Sequence, residues 1–182
     1  MSLRVAALLI SLCFFSCEKT SIKTDPLAIV TVFTRQNCPI SEYMCLPLRN
    51  AYRFFCDTLE QNILFQGFIP DPISSDSSIH QFQKEFDIPF SLTRDWNDNS
   101  SSSSIGAPGD HTLHYAPSVT PEVFVEFNGE IVYSGMIDNS YVSLGDWSEP
   151  TENYLFDVLI QIVNRESIIK NQTIAIGCNI NY

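Results

Sequence analysis

Val32-Phe-Thr-Arg-Gln-Asn-Cys-Pro-Ile-Ser41 joins an apolar run to a helical pattern through a polar loop and a cysteine. Leu27 to Phe33 is apolar, β-branched and aromatic and lacks helical spacing, which predicts a buried strand. A polar loop follows, and Cys38-Pro39 opens a helical pattern that runs toward Gln61. A cysteine at such a junction meets free backbone N–H groups and the positive end of the helix dipole, and both favour thiolate over thiol. Pro39 suits the first helical turn, where its missing N–H would have had no partner. On these residues alone, a structural cysteine beside an N-terminal proline is the alternative to a reactive one.

Outward from this stretch the chain alternates. Leu46, Ala51, Phe54, Phe55 and Leu59 form one apolar stripe of the first helix, and Pro47 inside it predicts a kink or a division. Ile63 to Ile69 is a second strand, closed by Pro70-Asp-Pro72. A helix over Ser78 to Phe86, capped by Asp76 or Ser77, carries Ile79, Phe82 and Phe86 at helical spacing. A short strand, Ile88 to Leu92, comes next. Asp95 to Asp110 contains the run Ser100 to Ser104 with Gly106, Pro108 and Gly109, and its lack of apolar surface predicts a mobile surface loop.

Val119 to Phe127 and Glu130 to Gly135, joined by Asn128-Gly129, read as a β-hairpin. Thr151 is positioned to cap a last helix with the stripe Leu155, Val158, Leu159 and Ile162. The tail from Thr173 to Tyr182 reads as extended and contains Cys178. The order β-α-β-α-β, hairpin, helix predicts an α/β fold with a central sheet flanked by helices on both faces.

The chain of 182 residues suits one domain with a core large enough to do without disulfide staples. Its net charge of -11 argues against nucleic acid and anionic lipid as electrostatic partners. The six cysteines, at 13, 17, 38, 45, 56 and 178, do not form a dense secreted scaffold. Arg4 followed by the eleven-residue, largely apolar stretch Val5 to Phe15 matches a signal-peptide core and is too short to span a bilayer. Phe14-Phe15-Ser16-Cys17 resembles the bacterial lipoprotein box, with Phe14 where leucine is usual. The expected organisation is a signal peptide over 1–16, a tether over 17–26 beginning at a lipidated Cys17, and a folded domain over 27–182. Such a chain would be anchored to a membrane in the periplasm or cell envelope, where disulfides persist.

Asn37-Cys-Pro-Ile-Ser41 with Tyr43 and Pro47, Val119-Thr-Pro-Glu122, Tyr133-Ser-Gly-Met-Ile-Asp138 and Gly177-Cys-Asn-Ile180 occur in an order and spacing that resemble the thioredoxin-like superfamily. The resemblance is to its exported bacterial redoxin-domain branch and runs from about Leu27 to Ile180. It implies a three-layer sandwich with a central mixed sheet. It puts Cys38 at the nucleophile position, and makes Thr120-Pro121 the segment whose cis proline lies against that cysteine and shapes, with Pro39 and Arg35, a groove for an extended thiol substrate. No cofactor is implied, and the partners would be protein thiols or disulfides of the envelope.

The departures bear on mechanism. The thioredoxin oxidoreductases have Cys-x-x-Cys, and here Ser41 stands three after Cys38, so vicinal dithiol exchange is closed to this chain. The peroxiredoxins have threonine or serine three before the cysteine; here that residue is Arg35, with Thr34 one further, so the peroxidase motif is unmet. Arg35 and an open loop position would activate Cys38.

Cys38 and Cys45 lie about 10 Å apart along a helix, and Cys45 and Cys56 roughly 16 Å. A disulfide needs Cα atoms within about 7 Å. Cys56 reads as core filler, which leaves Cys178 as the resolving thiol. Two other readings stay open. One is copper handling by Cys38, Cys45 or Cys178 with His80, His111 or His114. The other is a non-catalytic binding lipoprotein of the same fold. Asp138 has no assigned role beyond a solvated or capping carboxylate.

Overall fold

The structure, a computed structural model, describes residues 25–98 and 106–180. The expected signal peptide and the lipidated Cys17 lie outside the described residues, as does all but the end of the expected tether. Strand β1 (Ala28–Phe33) leads into helix α1 (Pro39–Tyr52), and β2 (Ile63–Ile69), helix α2 (Asp76–Glu85) and β3 (Ser91–Arg94) follow. Two short pieces, β4 (Trp96–Asn97) and β5 (Ala107–Pro108), pair with each other before the one-and-a-half-turn helix α3 (Asp110–Tyr115). Then come β6 (Val119–Thr120), β7 (Glu122–Phe127) and β8 (Glu130–Gly135), the pair β9 (Tyr141–Ser143) and β10 (Asp146–Trp147), helix α4 (Tyr154–Asn164) and β11 (Cys178–Asn179).

The five-stranded sheet has the order β3-β2-β1-β7-β8. β1, β2 and β3 are mutually parallel, and β7 and β8 run antiparallel to their neighbours. Alternation along β1 assigns the two faces. Ala28, Val30 and Val32 join the main core with Ile40, Met44 and Leu48 of α1, Phe82 of α2, and Leu155, Val158, Leu159 and Ile162 of α4. Phe33 points the other way, into a smaller cluster with Phe68 and Phe124 against Tyr115 of α3. A fully buried aliphatic or aromatic side chain contributes roughly 1.5–3 kcal/mol, so the three helices on the first face hold most of the stability.

Several expectations shift. α1 runs unbroken through Pro47, because Met44, Cys45, Leu48 and Ala51 around it are buried and hold the helix against the lost hydrogen bond. Its buried stripe is Ile40-Met44-Leu48-Ala51, continued by Phe55, whereas Leu46 and Leu59 are exposed. The helix then widens into a π-helical turn over Arg53–Thr58, which brings Phe54 and Phe55 against Phe156 of α4. Ser75 caps α2 in a reciprocal capping box with Ser78, so the cap falls one residue before Asp76. Thr151 does not cap α4; Asn153 takes the cap position, and Thr151 is bound to the side chain of Asn139. The third strand begins at Ser91, after Ile88 and Phe90 have been buried by the connection.

The segment read as a mobile loop is ordered at both ends. Buried Asp95 accepts hydrogen bonds from the Thr112 N–H at 2.5 Å and the Thr112 hydroxyl at 2.6 Å, which ties β4 and β5 to the start of α3. Residues 99–105, the serine run, lie outside the described residues. Asp138 is buried too; its carboxylate accepts the N–H and hydroxyl of Ser140 at 2.9 and 2.5 Å. That makes it a capping group of a tight turn rather than a solvated one.

Candidate active site

Cys38 is the N-cap residue of α1, placed there by the left-handed turn at Asn37 (φ 57°). Asparagine tolerates that conformation better than most residues. The Asn37 N–H is held by the Glu42 carboxylate at 3.1 Å, and Glu42 N–H donates to the Cys38 carbonyl at 3.0 Å. Pro39 is the first helical residue and is exposed, as expected. Cys38 itself is 0% exposed, which corrects the expectation of a loop position open to solvent.

What covers it is the C-terminal segment. β11 pairs antiparallel with β6, with Cys178 opposite Thr120 and Asn179 opposite Val119. The Cys38 thiol donates to the Thr120 carbonyl at 3.2 Å, and the Thr120–Pro121 bond is cis. Thus Cys38, Thr120, Pro121 and Cys178 stand together, and both thiols are free. The approach is close enough to require a glycine: a Cβ at Gly177 would lie 2.2 Å from the Thr120 carbonyl oxygen and 3.1 Å from the Pro121 nitrogen.

The electrostatics divide the two sulfurs. Burial pushes the Cys38 thiol up, because a thiolate loses its water. The Cys178 thiol, the Ser41 hydroxyl and the backbone N–H groups of Ser41 and Cys178 outweigh it, holding Cys38 below the ordinary thiol value. Cys178 moves the other way and is pushed up to about 11, first by burial and then by its hydrogen bond to Cys38 and the charge there. Of the two thiols, Cys38 therefore gives up its proton the more readily.

A sheet in which β2, β1, β7 and β8 lie in that order, with a cysteine at the first βα junction and the cis proline opening β7, is decisive. The chain has a thioredoxin-like fold. No protein-family model matches it, and no curated protein does. Among solved structures it is similar to an uncharacterized conserved protein from Geobacillus kaustophilus at 17% identity and TM-score 0.67, covering 86% of this chain and 77% of that one. A hypothetical protein from Sinorhizobium meliloti 1021 is similar at 20% identity and TM-score 0.65, over 87% and 81% of the two chains. A thiol:disulfide interchange protein from Bacteroides sp. is matched at 12% identity and TM-score 0.49, over 76% and 74%. At these identities the likeness concerns the fold.

Within this thioredoxin-like fold, other expected residues fall differently. Arg35 is half-buried and its charge acts on Cys178, pulling that thiol partly back down; it is not among the groups that hold Cys38. Cys45 is buried, donates to the Ser41 carbonyl at 3.2 Å and is pushed up to about 12 by burial and by Glu42. Cys56 is half-buried, donates to the Ile63 carbonyl and is raised by burial. Among the described residues no three His, Cys, Asp or Glu side chains are grouped to hold a metal. His111 is stacked on Phe68 on the sheet face opposite the main core, His114 meets the edge of Tyr115, and His80 is exposed on α2.

Sequence reasoning gave no role to Ser41 or Gly177. Ser41 is fully buried and its hydroxyl has no hydrogen-bond partner among the described residues; it stands beside Cys38, where its dipole favours the thiolate. The signal was its place one turn into the helix. Gly177 was legible as a lone glycine beside a strand-like pattern, a mark of close backbone approach.

Removing a donor from a thiolate raises its pKa and lowers the thiolate fraction at a given pH. A donor to a charged group contributes roughly 1.5–3 kcal/mol, and the partial gain in intrinsic nucleophilicity offsets some of that in rate. Ser41→Ala should therefore move the Cys38 alkylation midpoint upward and slow neutral-pH alkylation about five- to tenfold. The measurement is iodoacetamide labelling against pH, read at Cys38 by mass spectrometry; an unmoved midpoint would remove Ser41 from the site.

Proposed function

We propose that this protein is a thiol-disulfide redox protein with a single-cysteine Cys38-Pro-Ile-Ser41 loop, in which Cys38 is the nucleophile and Cys178 the resolving thiol. The observation that carries the reading is two free cysteines in one covered site with opposed proton preferences, one at a helix N-terminus and one on a strand paired to Thr120. A structural cysteine pair would need neither the donors aimed at Cys38 nor the separation of the two thiols.

The chemistry follows from those positions. The Cys38 thiolate attacks one sulfur of a substrate disulfide, forming a mixed disulfide and expelling the other sulfur as a thiolate, which takes a proton. Cys178, once deprotonated, attacks the Cys38 sulfur, forms the Cys38–Cys178 disulfide and expels the second substrate thiolate. The substrate is reduced by two electrons and the protein dithiol is oxidised by two; an external dithiol closes the cycle. Ser41 cannot resolve the adduct, so resolution depends on the C-terminal segment. Thr120 and Pro121 form the wall against which the substrate sulfur is presented, and Pro39 lies exposed beside it.

With dithiothreitol as electron source and insulin as disulfide substrate, Cys38→Ser should fall to the uncatalysed rate. Cys178→Ser should accumulate mixed disulfides on Cys38. Wild-type reduction by Cys38→Ser would overturn the reading in favour of a non-catalytic binding protein.

The proposed setting is the cell envelope, with the chain held to a membrane by a lipid on Cys17. Its support is the apolar segment Val5 to Phe15 ending at Ser16-Cys17. Among the described residues no helix is long and apolar enough to cross a membrane. Cys17→Ser should abolish metabolic acyl labelling and move the protein out of the membrane fraction; labelling that persists would exclude this anchor.

A further inference from the structure

The short strand before the cis proline, where a substrate sulfur would have to meet Cys38, is already paired. β11 lies along β6 in a defined register, Cys178 opposite Thr120 and Asn179 opposite Val119. We propose that Gly177–Ile180 is the chain's own occupant of a peptide groove, and that the groove accepts an extended polypeptide disulfide carrying glycine immediately before its reacting cysteine. This rests on the thiol-disulfide reading and adds to it the class of substrate.

Three observations carry the inference. First, the occupant is held by a short ladder. Its ladder is two residues long, with Ile180 N–H to the Ser118 carbonyl at 3.4 Å and the Thr120 hydroxyl to the Cys178 carbonyl at 3.5 Å, both at the long limit of a hydrogen bond. Second, the chain just before it is held firmly. Ser134 N–H donates to the Asn171 carbonyl at 3.1 Å, Thr173 N–H to the Ser134 carbonyl at 3.0 Å, and Met136 N–H to the Thr173 hydroxyl at 2.7 Å. The segment can therefore leave β6 and return at high effective concentration without the fold opening.

Third, the groove selects. With glycine at the position before the cysteine, the strand approaches until a Cβ there would lie 2.2 Å from the Thr120 carbonyl oxygen and 2.6 Å from its carbon. These are backbone atoms and cannot swing aside as a side-chain end could. Alternation then leaves the residue after the cysteine in solvent and turns the next one inward, as exposed Asn179 and buried Ile180 do. The pattern that fits is Gly-Cys, any residue, then an apolar one.

The exchange is a strand displacement. The substrate segment replaces β11, and Cys38 takes its cysteine sulfur into a mixed disulfide while the former partner sulfur leaves as a thiolate. The returning segment brings Cys178 onto the Cys38 sulfur, forming the Cys38–Cys178 disulfide and releasing the substrate cysteine as a thiolate that is then protonated.

The test uses the full-length protein as the Cys178→Ser variant, so that adducts on Cys38 persist. Two peptides are offered as thiopyridyl disulfides, one with the sequence Ala-Ile-Gly-Cys-Asn-Ile of residues 175–180 and one with alanine in place of its glycine. Thiopyridone release is followed, and the labelled cysteine is identified by mass spectrometry. The glycine peptide should label Cys38 about tenfold faster or more, the cost of a backbone clash. Equal rates, with Cys38 still labelled by the small disulfide dithiodipyridine, would overturn the groove and leave the redox reading standing. No labelling of Cys38 by either peptide or by dithiodipyridine would overturn both.

Discussion

The pairing of Cys178 with Thr120 is the constraint on which the site depends. It brings the second sulfur to the first, carries backbone and thiol donors to Cys38, and closes the groove over it. Without it, Cys38 would be an N-cap cysteine with only its own helix for activation. The pairing in turn depends on Gly177, because any Cβ there would drive the tail off the Thr120–Pro121 backbone. It also depends on the anchoring of Asn171 and Thr173 along β8, where Gly135 (φ 129°) leaves the room that Thr173 fills.

Burial and donation pull the Cys38 proton in opposite directions, and their balance defines the chemistry. As a thiol, Cys38 donates to the Thr120 carbonyl; as a thiolate, it is favoured by the neighbouring Cys178 and Ser41 side chains. Ser41 occupies the place that a second cysteine takes in a vicinal dithiol, and it keeps the donor role while giving up the resolving one. In the proposed exchange the resolving role passes to Cys178, on a segment distant in sequence. Exchange then requires movement of the tail rather than of the helix.

Much of this was legible in the sequence. The buried strand Leu27 to Phe33, the cysteine at the helix start, the Asn-Gly hairpin and the amphipathic last helix all have strong local signals, and together they give the alternation of elements and the central sheet. The features that escaped are set by tertiary contact. Leu46 and Leu59 look like members of the first helix stripe, yet the π-helical turn and the packing of Phe54 and Phe55 on Phe156 put the stripe elsewhere. Asp95 looks like the start of a serine-rich loop, but its carboxylate is the acceptor that fixes α3. The sequence pointed to Cys178 as a partner for Cys38, but not to the close pairing of its segment with Thr120 beside the buried Cys38.

The most direct test of the account is the disulfide linkage itself. Full-length protein oxidised under mild glutathione buffers, quenched in acid and mapped by peptide mass spectrometry should show Cys38 bonded to Cys178, with Cys45 and Cys56 still reduced. A bond from Cys38 to Cys45 or Cys56, or a Cys38 that stays reduced while Cys178 oxidises elsewhere, would contradict it.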